Sequence, residues 1–169
     1  MAQNVLLFTA AFLSALISGL LFAYSCSVNP GLHRLSDTAY LSAMQEINRA
    51  ILNPAFFLCF LGPAILLPFS AWFHFGQNER IFWYLCGASL FYLAGVMGVT
   101  MFGNVPLNQA LDTFRLAESS PAELAAQRSA FEGPWNSLHF IRTIASLVSL
   151  ILILLGIFAK KSVTLQTIQ

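Results

Sequence analysis

The sequence predicts an all-α membrane protein, a four-transmembrane-helix bundle with short amphipathic helices in the first and third connections. Hydrophobic residues make up 57% of the 169 positions and charged residues only 9%, whereas a soluble domain carries roughly 25% charged residues. The mean hydropathy of +0.72 agrees with this class. Long uncharged stretches also recur along the chain, each with about the 20 residues that a bilayer core requires.

These stretches predict four spans, and Arg142 is the one charged residue within them. We place the spans at about residues 5–28, 54–75, 81–103 and 134–158, in a single membrane domain of residues 1–169. The first stretch lacks a basic start, and its apolar run exceeds the roughly 7–15 residues of a signal peptide. We therefore expect it to remain in the protein as the first span.

The charges beside the spans favour one orientation. Four spans place both termini on one side of the membrane, and Lys160 and Lys161 follow the fourth span. Basic residues near span ends favour the cytoplasmic side, although both large connections contain some as well. We expect an integral multi-pass protein of the cell (inner) membrane with cytoplasmic termini.

The first connection predicts a short amphipathic helix over residues 36–51. After a turn at Pro30 and Gly31, Ser36 and Asp37 are typical of a helix start. Apolar residues then recur at helical spacing, at Leu41, Met44, Ile47 and Ile51. Such a helix would lie on the bundle or at the membrane interface.

The third connection, residues 104–133, predicts further helix over 104–131. Asn104, Asn108 and Asp112 are spaced four residues apart, so a continuing helix presents them on one side. The opposite stripe is apolar, with Leu107, Leu111 and Phe114. Ser120 followed by Pro121 predicts the start of a second short helix. Both connections should pack over the same end of the bundle.

That end of the bundle also receives the polar start of the fourth span. Trp135, His139 and Arg142 fall at i, i+4 and i+7, on one face of a helix. A charge at this depth costs several kcal/mol unless it is satisfied. The topology adds three amides on the same side, from Asn48, Asn104 and Asn108. The sequence therefore predicts a polar ligand pocket between the helices.

Structural readings remain open for the same residues. Arg142 could snorkel to the headgroups or hold the third connection by pairing with Asp112 or Glu132. Trp135 could be an interfacial anchor, and His139 a satisfied structural histidine. Asn104 and Asn108 could be helix caps. We interpret His33 and His74, near span ends, as interfacial.

The sequence predicts neither a metal site nor nucleic-acid binding. No two histidines have a ligand spacing such as HxxxH, which argues against haem or a di-metal site. Cys26, Cys59 and Cys86 lie in hydrophobic stretches without a CxxC pair and are typical of apolar packing. The chain has no basic patch for nucleic acid. Whether it acts as a homo-oligomer or with a membrane partner protein stays open.

Four motifs occur in order along the chain: FAYSCSVNPGL, MQEINRAILNPAF, NVPLNQAL and WNSLHFIRTIASL. In these motifs the chain resembles the anthrone oxygenase-like family of small four-span membrane proteins, largely of unknown function, over about residues 15–155. Fungal relatives are implicated in oxidising anthrones to anthraquinones with molecular oxygen and without metal or flavin. The resemblance therefore implies no metal and no other cofactor. The last two motifs carry the positions that the resemblance implies for the site, namely Asn104, Pro106, Asn108, Trp135, His139 and Arg142. Many relatives have asparagine at the position of His139.

These observations lead to a functional hypothesis. A hydrophobic anthrone, phenol or quinone-like molecule enters from the bilayer and lies among spans one, two and four. His139 and Arg142 are the catalytic candidates: His139 removes a proton from an activated C–H, and Arg142 stabilises the enolate. The substrate-binding candidates are Asn48, Asn104, Asn108 and Trp135, with Trp135 stacking on the ring.

The alternative is a non-catalytic membrane subunit or a hydrophobic-ligand-binding module. The acidic, helical third connection would suit docking to a partner. An enzyme predicts a cavity lined by His139 and Arg142, whereas a scaffold predicts that these residues pair internally.

Overall fold

Four long helices form the protein in a computed structural model, which describes the backbone of residues 2–166 and the side chains of residues 3–159. Helices long and apolar enough to cross a membrane are Gln3–His33, Pro54–His74, Glu79–Asp112 and Pro121–Ala159. The described residues contain no strand. The predicted all-α four-span fold is thus confirmed, and the chain is a multi-pass membrane protein. The side chains of Lys160 and Lys161, which favoured cytoplasmic termini, lie outside the described residues.

The first span is longer than predicted. Helix α1 (Ala2–Ala23) continues through a π-helical segment, Tyr24–Val28, into α2 (Asn29–His33). The predicted turn at Pro30 and Gly31 is therefore wrong, and the chain leaves the helix after His33 instead. Pro30 lies inside this continuous helix, directly after the π-helical segment, and because it lacks an N–H the helix loses one hydrogen bond there without ending.

Helix α3 (Asp37–Ala50) confirms the amphipathic helix of the first connection. Ser36 caps it by accepting from the backbone N–H of Ala39 at 3.4 Å. Its apolar face joins an extramembrane cluster whose buried members are Tyr40, Leu41, Met44, Leu111, Leu124, Phe131 and Trp135. Gln45 ties α3 to the third connection, because its Nε2 donates to the carbonyl oxygens of Leu111 (2.8 Å) and Phe114 (2.9 Å). The two connections pack over one end of the bundle.

From residue 54 onward the helices are longer than the sequence predicts, because the third span continues into the third connection and the end of that connection continues into the fourth span. Its elements are α4 (Pro54–His74), α5 (Glu79–Leu90), two π-helical segments (Phe91–Gly98 and Thr100–Asn104), α6 (Val105–Asp112), a 3₁₀ turn (Leu116–Glu118) and α7 (Pro121–Gln166). The predicted helix start is confirmed, because α7 begins at Pro121 and Ser120 caps it by accepting from the backbone N–H of Glu123. This helix is not short and separate as predicted, because α7 passes Pro134 without ending. Phe131 and Trp135 flank Pro134, and their rings stack with centroids 6.3 Å apart. Both side chains are buried in the same cluster, and this packing keeps α7 continuous past Pro134.

Inside the membrane the helices meet through small residues and hydroxyl groups. Helix α7 packs against α1 and α5, and α4 packs against the same two helices. Ser18 Oγ donates to the carbonyl of Ser146 at 3.2 Å, and Tyr92 donates to the carbonyl of Phe60 at 2.8 Å. Hydrogen bonds between helices and small residues at contacts are the usual means of packing in a bilayer.

Both histidines that were interpreted as interfacial lie at helix ends. His74 is the last residue of α4 and is buried within the protein, with 3% of its surface exposed. Its Nδ1 lies 2.7 Å from the carbonyl of Ser70 and donates to it. The other, His33, is exposed and pairs with Glu132 at 2.7 Å.

Candidate functional site

A cavity of about 530 Å³ lies at the end of the bundle that the first and third connections cover. Pockets for small organic ligands measure about 300–1,000 Å³. All four spans line it, together with α3 and α6. Its walls are mostly apolar, from residues that include Ile17, Leu20, Phe56, Phe60, Val96, Met97 and Met101. The third span therefore contributes to the cavity wall, in addition to the three spans expected around the ligand.

Arg142 lies half-buried at the wall of this cavity. Its Nη1 donates to Thr100 Oγ1 at 3.4 Å, and its Nε and Nη2 lie 3.3 and 3.0 Å from His139 Nδ1. The guanidinium carbon is 5.1 Å from the centroid of the Trp135 ring, a cation–π distance. All of these partners are neutral.

The carboxylates considered as partners of Arg142 bind other cations. Asp112 pairs with Arg49 at 2.7 Å, and Glu132 pairs with Arg128 at 2.7 Å. The reading in which Arg142 pairs with either carboxylate is therefore wrong. Within residues 3–159, no carboxylate lies within ion-pair distance of Arg142.

The partners of His139 define its tautomer. Nε2 lies 3.1 Å from the carbonyl oxygen of Leu21, and because a carbonyl can only accept, Nε2 carries the proton. The same nitrogen is 3.0 Å from Ser25 Oγ. Nδ1 then accepts from Arg142. The imidazole is neutral in this arrangement, and both of its nitrogens have partners.

Trp135 holds the polar face together. Its ring stacks on His139 with centroids 5.0 Å apart and on Phe131 at 6.3 Å. Its Nε1 donates to Asn108 Oδ1 at 2.9 Å. Since stacked neighbours already cover the ring, this geometry does not support the expectation that Trp135 stacks on a substrate.

The three asparagines occupy different positions. Asn108 lines the cavity. Asn48 also lines it, and its buried Nδ2 has no hydrogen-bond partner among the described residues. Asn104 is fully buried away from the cavity and donates from Nδ2 to the carbonyl of Trp135 at 3.3 Å. The structure thus brings Asn48 and Asn108 to the cavity and leaves Asn104 as a contact between helices.

Asn104 ends the π-helical segment Thr100–Asn104, whereas Asn108 lies in α6. The i, i+4 spacing predicted one side for both asparagines, but of the two Asn108 lines the cavity and Asn104 contacts α7. Thr100, which the sequence pattern did not indicate, also lines the cavity. A π-helical turn bonds residue i to i+5, so the α-helical spacing rule gave no signal for Thr100.

An ion pair lies beside Asn48 at the extramembrane end of the cavity. Arg49 and Asp112 both line the cavity, and both side chains are about half exposed. The hydrogen bond to Asp112, followed by the attraction of its charge, raises the pKa of Arg49. The Arg49 guanidinium therefore stays charged at physiological pH. Among the described side chains, no group of three or more His, Cys, Asp or Glu residues is arranged to hold a metal ion.

Comparison with known proteins agrees with the motifs. A family model described as anthrone oxygenase matches residues 56–152, more than half of the chain. The matched stretch contains Trp135, His139 and Arg142, whereas Asn48 precedes it. No curated protein and no solved structure gives a significant match. The chain belongs to the anthrone oxygenase family.

Proposed function

We propose that this protein is a membrane-embedded, cofactor-independent oxygenase that acts on a hydrophobic aromatic molecule of the anthrone, phenol or quinone type. The observation that carries the proposal is Arg142, a cation at the wall of an apolar cavity without a carboxylate partner among the described residues. A charge within a membrane span is costly unless it is satisfied. A ligand oxygen that is negative, or becomes negative during reaction, would satisfy it.

The rest of the cavity suits a flat apolar ligand that arrives through the bilayer. Phe56 and Phe60 stack with centroids 5.3 Å apart and line the wall. Phe57 and Leu61 also line the cavity, and 41% and 39% of their surfaces remain exposed. This side of α4 is therefore the natural entrance from lipid.

The chemistry begins with a change of partners. A ligand oxygen takes over N–H groups of Arg142 and so frees the lone pair of His139 Nδ1. His139 then removes a proton from a C–H activated by the neighbouring aromatic carbonyl system, and the bonding pair stays on the ligand as an enolate. Arg142 stabilises the enolate oxygen because its donors are already in place. Asn48 and Asn108 supply further amide groups.

The enolate supplies the electrons for the reaction with molecular oxygen. Its carbon forms a bond to oxygen, and protonation gives a hydroperoxide. Removal of the second proton from the same carbon breaks the O–O bond and releases water, which leaves a carbonyl group. One oxygen atom enters the product and the other leaves as water.

Oxygen uptake tests this proposal. The purified protein in lipid nanodiscs should consume oxygen with at least one member of a panel of anthrones and hydroquinones, faster than empty nanodiscs with the same compound. With an anthrone, one quinone should form for each oxygen molecule consumed. Uptake no faster than the empty-nanodisc background across the whole panel would refute the oxygenase assignment.

A ligand-binding module is the second candidate, favoured by the bond between Arg142 and His139. This internal pairing is what a non-catalytic protein would show. Saturable binding of a panel compound without oxygen uptake would support this candidate. The location belongs to the proposal as well: we place the protein in the cell (inner) membrane with cytoplasmic termini, acting alone, as a homo-oligomer or with a membrane partner protein.

A further inference from the structure

A second cleft, of about 480 Å³, lies between the end of the first span and α7. Its polar lining includes Ser25, Asn29, His33, Arg34 and Asn136. His33 and Arg34 are exposed, so the cleft opens at the surface where the span ends. Among the described residues, His139 is the one that lines both this cleft and the apolar cavity.

Ser25 is the contact between His139 and the second cleft. Its Oγ lies 3.0 Å from His139 Nε2, 3.3 Å from Thr143 Oγ1 and 3.2 Å from the carbonyl of Leu21. Because Nε2 carries the proton, its N–H is shared between the Leu21 carbonyl and Ser25 Oγ, and the serine hydroxyl donates to the same carbonyl. Ser25 lies in the π-helical segment Tyr24–Val28, and such segments are frequent at functional sites.

The position of Arg142 explains why His139 should lose its Nε2 proton to Ser25. If His139 took a proton on Nδ1 and kept the one on Nε2, an imidazolium would form beside a guanidinium whose Nη2 is 3.0 Å away. Two like charges at this distance repel strongly in a medium of low dielectric constant. A route that removes the Nε2 proton avoids this second charge.

We propose that Ser25 is a positioning residue that relays protons between His139 and the second cleft, which serves as the route to solvent. The inference rests on the proposed function and assigns the path of its proton. As Nδ1 takes the proton from the ligand carbon, Nε2 gives its proton to Ser25 Oγ, and the Ser25 hydroxyl turns from the Leu21 carbonyl to give its own proton to water in the cleft. The ring stays neutral, one proton reaches solvent, and the bonding electron pair remains on the ligand. The reverse sequence returns a proton to the peroxide oxygen.

Proton exchange at His139 tests the relay without any substrate. In protein labelled with ¹⁵N-histidine, the exchange of the Nε2 proton with water is measured by NMR, and His139→Asn identifies the signal by its loss. Ser25→Ala should slow the exchange about a hundredfold, the low end of what a positioned acid–base group contributes. Ser25→Thr, which keeps the hydroxyl, should restore it.

The matched control is Ser146→Ala. Ser146 is also a buried hydroxyl at the contact of α1 and α7, where it donates to the carbonyl of Thr143 at 2.8 Å, but it does not line the second cleft. In Ser146→Ala the His139 Nε2 proton should exchange at the wild-type rate. Equal rates in wild type and Ser25→Ala would overturn the relay. If Ser25→Ala does not fold, Ser25→Cys serves the same comparison, because a thiol is a weak hydrogen-bond donor and acceptor.

Oxygen uptake separates the relay from the function on which it rests. Ser25→Ala should lower kcat about a hundredfold while KM stays unchanged. A wild type that consumes no oxygen would refute the oxygenase, and the NMR rates would still decide the relay. Uptake by Ser25→Ala at the wild-type rate would refute the relay and leave the oxygenase standing.

Discussion

Arg142 shows how a charge can be kept inside a span without an ion pair. Its guanidinium is shared among Thr100, His139 and the face of Trp135, and its remaining surface lines the cavity. Neutral partners hold the group in position but leave its charge uncompensated. This arrangement suits a residue that acts on a ligand more than one that only anchors a helix.

Replacement of Arg142 separates these two roles. We expect Arg142→Leu to fold with a melting temperature within a few degrees of wild type, because no buried carboxylate loses its partner. Oxygen uptake should fall by about 10² or more, as when a donor to a developing oxyanion is removed. Arg142→Lys should also fail, since an ammonium group cannot bond Thr100, His139 and a ligand oxygen with a planar fork. A protein that tolerates lysine but unfolds with leucine would make Arg142 a structural anchor.

His139→Asn should have a milder effect than loss of the arginine. An asparagine side chain can still accept from Arg142 through its oxygen, so ligand affinity should change little. An amide is not a base at neutral pH, so water must take the proton in its place, and we expect turnover to fall about tenfold, short of the roughly 10²–10⁴-fold that a general base contributes. Binding and turnover are measured on the same nanodisc preparation. Loss of binding in His139→Asn would mean that the imidazole holds the site together.

At the scale of elements, one side chain on α7 fastens the first connection to the bundle. The Arg128 guanidinium bonds Glu132, Asp37 and the carbonyls of His33 and Leu35, at 2.7 to 3.0 Å, and lies 4.6 Å from the centroid of Tyr40. Its side chain is only 13% exposed. These bonds hold the end of α2 and the start of α3 against α7.

Arg128→Gln should therefore be strongly destabilising. Loss of several charge-assisted bonds at one site costs about 2 kcal/mol or more. Arg115→Gln is the matched control, because its pair with Glu118 is exposed on both sides and such pairs contribute at most about 1 kcal/mol. Thermal melting of both variants gives the comparison. Equal melting temperatures would show that Arg128 does not fasten the first connection.

The contact between the third span and α7 depends on a residue without a side chain. A Cβ atom added at Gly95 would lie 2.5 Å from the Cβ of Ala145, which is closer than two carbon atoms can pack. Gly95→Ala should therefore push the helices apart and cost about 1–3 kcal/mol, as overpacking does. Gly19→Ala should be neutral or slightly stabilising, because nothing lies within 4 Å of that position and alanine favours helix by up to about 1 kcal/mol. Similar melting temperatures for the two variants would contradict this contact.

At the scale of the whole molecule, both large connections cover one end of the bundle. The pair between Arg49 and Asp112 joins them, and so do the bonds of Gln45 to the third connection. A membrane-impermeant thiol reagent should therefore label cysteines placed at Thr38 and Glu118 from the same side. A cysteine at Gln77, in the short hairpin at the other end, should react from the opposite side. Labelling of Thr38→Cys and Glu118→Cys from opposite sides would refute this topology.

The sequence by itself determined the membrane class, the four spans and the helices of the connections. These features depend on properties that each segment carries alone, namely length, apolar composition and helical period. The same period places Trp135, His139 and Arg142 on one face, because α7 is regular α-helix throughout this stretch. The motifs also identified the family, and the family match confirms it.

Only the tertiary structure decided the partners within the site. Asn104 became a contact to α7, and Thr100, at the start of the π-helical segment Thr100–Asn104, lines the cavity. Asp112 and Glu132 paired with other arginines, which left Arg142 facing the cavity. Ser25 met His139 across 114 positions of sequence. Hydrogen-bond partners depend on distances of a few tenths of an ångström between helices, and those distances follow from how the whole bundle packs rather than from the period of any one segment.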